Sequence, residues 1–140
     1  NFNPESGHVL SALIRRFHEA KENGYPSVTL WGTGTPCREF IHADDIADAG
    51  LMLLQADLSG LEFPLNLGSG SDISIKNLAG VVAKVVGYNG AIEWDTTKPD
   101  GAPRKLLDSS RINRFGWTPS VPFEDGLRTT YEWYLNNVAN

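Results

Sequence analysis

Residues 28–54 read VTLWGTGTPCREFIHADDIADAGLMLL and hold two strand signals and a helix signal in succession. Val28, Leu30 and Trp31 belong to a short strand over 28–31. Gly32-Thr33-Gly34-Thr35-Pro36 is turn chemistry. Residues 38–42 alternate polar and apolar, which predicts a second strand. Asp44 or Asp45 then caps a helix that runs to Leu54. Ile46, Ala47, Ala49, Leu51, Met52, Leu53 and Leu54 surround that helix. A helix apolar on several sides expects burial on more than one face.

Outward from this segment the same alternation continues. Residues 1–7 are turn formers and read as a loop. From His8, Leu10, Leu13, Ile14 and Phe17 recur at helical spacing until Asn23-Gly24, a helix stop. Downstream, 63–67 reads as a strand ending at Gly68-Ser69-Gly70. Ser74 caps a helix striped by Ile75, Leu78, Val82, Val85 and Val86, and Gly87 ends it. A strand follows over 91–94, then a polar loop over 96–105, a short helix over 109–115, and a last helix opened by Pro122. Helices alternating with strands predict an α/β fold.

The chain has 140 residues, one domain's length, and 41% hydrophobic residues, enough for a core. Its single cysteine, Cys37, excludes an internal disulfide and fits a reducing, cytoplasmic setting. A net charge of −5 argues against nucleic acid and anionic membrane as partners. An anionic ligand therefore needs a few placed arginines. No apolar run approaches the roughly 20 residues of a membrane span, and no signal peptide is visible. The sequence starts at Asn1 rather than Met, which suggests a piece of something longer.

Three glycine-rich stretches occur: Gly32 to Gly34, Gly68 to Gly70 and Gly87 to Gly90. None completes a strand–GxGxxG–helix fingerprint or a P-loop, so turn chemistry explains them. His8, His18 and His42 have no metal-ligand spacing, so no metal is expected. His18 reads as solvated on a helix flank. His42 reads as a strand-end residue tied to a carboxylate. His8 lies where a polar loop meets a helix start, a setting that carries function. Cys37 reads as a half-buried strand residue beside Arg38, and Asp44-Asp45 as capping rather than paired catalytic carboxylates. The loop KPDGAPRK over 98–105 combines two prolines, a glycine, an acid and three cations. Such a stiff polar loop either holds something or is simply solvated.

NFNPxSxHV from Asn1, LIRRFHEA from Leu13 and WGTGTPxREFIHxDD from Trp31 resemble the GDP-L-fucose synthase family of the extended short-chain dehydrogenases. So do NLGSG from Asn66, WDxxKPDGxPRKLLD from Trp94 and the closing GLRxTYxWYL. The resemblance covers essentially the whole chain. It implies the small C-terminal substrate-binding domain of an NADP-dependent epimerase-reductase, with the Rossmann domain absent. The family's glycine fingerprint, Ser-Tyr-Lys set and catalytic cysteine are not in these residues, and Cys37 does not match that cysteine. NADP is thus expected in the full-length family and not on this chain.

The resemblance assigns His8 as the acid of the epimerisation, near the nicotinamide, and Val9 as a substrate-contacting backbone position. It assigns Arg16, Trp31, Arg38 and Asp100 to the GDP-sugar. The chemistry agrees. Histidine titrates near the working pH, an arginine fork suits a diphosphate, and an indole stacks on a base or sugar face. Helix geometry alone does not choose Arg16 over Arg15. Ser11, Cys37, Ala43 and Pro122 depart from the family's pattern. The resemblance also implies that 44–67 packs on the missing Rossmann domain, so a homo-oligomer built on 44–67 is expected for the chain alone. The rival readings are a stand-alone nucleotide-sugar binding or assembly module, and another sugar-nucleotide epimerase or dehydratase. The KPDG loop and WGTGTP speak against the last.

Overall fold

The computed structural model describes residue 2 and residues 7–60 and 64–139. The predicted loop over 1–7 and the first residue of the strand predicted over 63–67 lie largely outside these. The elements are α1 (Val9–Glu22), β1 (Ser27–Trp31), β2 (Cys37–Glu39), α2 (Ala43–Gln55), β3 (Asp72–Ser74), α3 (Ile75–Val86), β4 (Ala91–Asp95), β5 (Arg104–Lys105), α4 (Ser110–Arg114) and α5 (Phe123–Asn137). The fold is mixed α/β, as the alternation predicts.

β1 and β4 pair in parallel, from Ser27 opposite Ala91 to Trp31 opposite Asp95. A second sheet runs β3–β2–β5, antiparallel between β2 and β3 and parallel between β2 and β5. The main core forms where the helical stripes meet. Leu13, Ile14 and Phe17 of α1 pack with Leu78, Val82 and Val86 of α3 and with Leu127 and Tyr131 of α5. Each fully buried aliphatic or Phe side chain there contributes about 1.5–3 kcal/mol. Ser74 Oγ accepts the Asn77 N–H at 3.2 Å and caps α3, and Gly87 ends it at φ 77°, both as predicted.

The ends of α2 correct the sequence reading. Neither Asp44 nor Asp45 caps it: the cap is His42, whose Nδ1 accepts the Asp44 N–H at 3.3 Å. Asp45 is instead 3% exposed, and its carboxylate accepts the Ser120 N–H at 2.8 Å, the Ser120 hydroxyl at 3.0 Å and the Val121 N–H at 3.3 Å. Burial opposes its charge, but these bonds outweigh burial and, with His42 nearby, hold its pKa below the ordinary carboxylate value. His18 is likewise not simply solvated. It is half-buried, with Nδ1 3.1 Å from the Tyr131 hydroxyl and its ring edge-on to Tyr131 and Tyr134.

Residues 64–67 form no strand. The Asn66 side-chain amide donates to the Asp108 carbonyl at 3.1 Å and ties this irregular segment to the chain before α4. β3 and β5 arise because β2 offers an edge on each side. A small second cluster gathers Ala49, Ile112 and Trp117 between α2 and α4. No described helix is long and apolar enough to cross a membrane.

Candidate functional site

Trp31 is the last residue of β1, where alternation sends Val28 and Leu30 inward and leaves the indole 70% exposed. Gly32, at φ 80°, turns the chain directly after it. The loop over 98–105 comes back onto this turn. Lys98 Nζ stands 5.7 Å from the Trp31 ring centroid, a cation–π contact. The Asp100 carboxylate accepts the Thr33 N–H at 2.9 Å and the Thr33 hydroxyl at 2.7 Å. Those two bonds, the hydroxyl's first, hold the Asp100 pKa below the usual value, so the loop carries a carboxylate at neutral pH.

Arg38 lies at the centre of β2. Its Nη1 donates to the carbonyls of Cys37 at 2.6 Å and Ala102 at 2.7 Å, which fixes the head of the side chain against the loop. The β2–β5 register sets Lys105 directly beside it, a second cation that sequence reading did not single out. The signal was available only as one of three cations in the loop; the pairing that selects it is tertiary. Arg38 also lines a cleft of about 540 Å³, with Leu10, Phe40, His42, Asp72 and Phe123 among its walls. No other predicted site residue lines that cleft.

Arg15 and Arg16 part company in the fold. Arg15 bonds Glu19 Oε1 at 2.6 Å and the Phe2 carbonyl at 3.2 Å. Arg16 bonds the Thr29 carbonyl at 3.2 Å, on the strand that ends at Trp31. His8 is the N-terminal flanking residue of α1: its carbonyl accepts the Ala12 N–H, while its exposed imidazole makes no capping bond. Val9 is half-buried against the main core. The structure thus brings Trp31, Arg38 and Asp100 together around one loop, sets Arg16 on α1 with its head against the Thr29 carbonyl of β1, and leaves His8 and Val9 at the start of α1. Cys37 sits half-buried in β2. Among the described residues no group of His, Cys, Asp and Glu could hold a metal ion.

The profile of the NAD dependent epimerase/dehydratase family matches residues 1–68. GDP-L-fucose synthase 1 of Arabidopsis thaliana is 58% identical over 140 residues, all of this chain and 43% of that protein. GDP-L-fucose synthase of Escherichia coli K12 is 44% identical over 98% of this chain and 45% of its own length. A GDP-L-fucose synthetase from Naegleria fowleri, solved with NADP bound, superposes at a TM-score of 0.87 with 28% identity, over all of this chain and 44% of that one. The chain therefore spans less than half the length of these relatives. A dinucleotide does not fit the glycine turns described here. Gly32 to Gly34 joins β1 to β2, Gly68 to Gly70 leads from an irregular segment into β3, and Gly87 to Gly90 joins α3 to β4, so none leads from a strand into the helix N-terminus that a pyrophosphate requires.

Proposed function

We propose, from the premise that this chain is a relative of the GDP-L-fucose synthases along its whole length, that it is the GDP-sugar-recognising part of an NADP-dependent epimerase and reductase. The observation that carries the reading is the meeting of Trp31, Arg38 and Asp100 where the turn over 32–36 and the loop over 98–105 touch. An indole offers a stacking face, and the Arg38 head, held by one nitrogen, keeps its other donors for diphosphate oxygens. Lys105 adds charge beside it. Asp100 accepts hydrogen bonds from sugar hydroxyls or from guanine. Arg16 extends the cationic edge along β1. His8 serves as the acid that returns a proton during epimerisation, and Val9 offers a backbone contact beside it.

Chemistry at the ketone needs the dinucleotide and the Ser-Tyr-Lys set, so these 140 residues alone bind the nucleotide sugar in the cytoplasm without turning it over. The surface of α2 belongs against the Rossmann domain. For the chain alone, a second copy covers it, in a homo-oligomer built on residues 44–67. Leu51 at 60% and Leu54 at 84% exposure support this part of the reading.

Titration calorimetry with GDP tests the site. Wild type should bind, and Arg38→Ala should lose about 1.5–3 kcal/mol, the worth of a charge-assisted hydrogen bond. Equal affinities would remove Arg38 from the site. Turnover of a GDP-4-keto sugar by the purified chain with NADPH, above a buffer blank, would overturn the assignment of chemistry elsewhere.

A further inference from the structure

The turn over 32–36 and the loop over 98–105 are joined by more than the predicted ligand contacts. Thr33 gives both its N–H and its hydroxyl to Asp100, one to each carboxylate oxygen. The Thr33 hydroxyl is itself oriented, accepting the Thr35 N–H at 3.2 Å and lying 2.7 Å from the Thr35 hydroxyl. The backbone is shaped around this contact. A Cβ on Gly32 would overlap the Asp100 carboxylate, and one on Gly101 would come within 3.0 Å of Arg38 Nη2. On the far side of the loop, the Cys37 N–H donates to the Pro103 carbonyl at 2.8 Å. Thr33 is exposed and adds nothing to either apolar cluster. Its bonds hold a loop rather than a core.

From this geometry we propose that Thr33 is a positioning residue: by clasping Asp100 it keeps the loop over 98–105 closed on the turn, and so presents Trp31, Arg38 and Asp100 as one surface for a nucleoside diphosphate. The identity of the ligand rests on the function proposed above; the clasp does not. With the clasp open, Arg38 loses its support at Ala102 and Lys98 leaves the indole. A ligand must then order the loop itself, and affinity falls by that entropy. A carboxylate accepts about four hydrogen bonds, so the clasp leaves Asp100 room for a ligand hydroxyl.

The 140-residue chain is compared as wild type, Thr33→Ser and Thr33→Val. Serine keeps both bonds; valine keeps the shape and the N–H but removes the hydroxyl. Without ligand, amide hydrogen exchange is read at residues 33 and 37. The valine variant should exchange roughly tenfold faster there at an unchanged thermal midpoint, and the serine variant should match wild type. With GDP as the probe, valine should weaken binding by roughly tenfold and serine should restore it. Acid loss of GDP binding should begin at higher pH in the valine variant, because Asp100 then lacks the bond that most lowers its pKa. Unchanged exchange in the valine variant overturns the clasp. Faster exchange with unchanged GDP affinity overturns the positioning role. A wild-type chain that binds no GDP overturns the ligand reading and the positioning for GDP with it, while the exchange comparison still decides the clasp.

Discussion

In the cluster of α1, α3 and α5, Ile14, Phe17, Leu78 and Val82 are wholly removed from solvent, whereas α2 buries only Asp45 and Ala49 and leaves Ile46, Leu51 and Leu54 exposed. The two regions do not differ for want of apolar residues on α2. They differ in pattern. α1 and α3 carry one stripe each, and each stripe finds a partner within the chain. α2 is apolar on several sides, and the chain covers one of them, with Ile112 and Trp117. Ser109 Oγ and Trp117 Nε1, in the same region, are buried with no hydrogen-bond partner among the described residues. Closure therefore depends on whether the number of apolar faces matches the number of partners.

The largest expected effect lies in the closed region. Phe17→Ala should lower unfolding free energy by about 3–5 kcal/mol in urea denaturation. The half-buried Met52, at the open cluster, should cost only about 1 kcal/mol as alanine, since less area is lost. Equal losses would break the contrast.

Asp45 joins α2 to the segment before α5 and should give an intermediate effect. Asp45→Ala leaves the Ser120 and Val121 donors without their acceptor and should cost about 1–3 kcal/mol. The sign with pH follows from its lowered pKa. Stability is present above the unfolded carboxylate value of about 3.9 and is lost as pH falls through the lower folded value. Denaturation midpoints between neutral and strongly acid pH should therefore converge for wild type and Asp45→Ala on the acid side. A constant difference across that range would show that the carboxylate's charge is not what holds the segment.

The smallest stability effect sharpens the comparison from the open side. Leu51→Lys, at a dilution where the chain is monomeric, should change stability by less than about 0.5 kcal/mol, because an exposed leucine has little burial to lose. At micromolar concentration the same substitution should move the sedimenting species toward the 15.3 kDa monomer. An unchanged larger species would show that copies meet elsewhere, and a wild-type monomer would show that this face makes no contact between copies.

Local chemistry made much of this legible. The stripes of α1 and α3, the Ser74 cap and the Gly87 stop were readable because each uses residues within a turn or two of one another. His42 escaped as the cap of α2 because two aspartates stood where a side-chain cap is expected. The aspartate beside it was claimed by Ser120 and Val121, more than seventy positions away. β3 and β5 were illegible because strands of three and two residues have no periodicity of their own; β2 makes them strands by offering its edges.

The candidate site divides along the same line. Sequence alone determined that the chain is α/β, that its acidity requires placed arginines for any anion, and which motifs resemble a known family. The separate partners of Arg15 and Arg16, the pairing of Lys105 with Arg38 and the clasp of Thr33 on Asp100 were decided only by tertiary structure. The physical reason is distance along the chain. Helix stripes and caps are set by contacts a few residues apart, whereas these contacts join residues 13 to 67 positions apart, and nothing local favours one such partner over another.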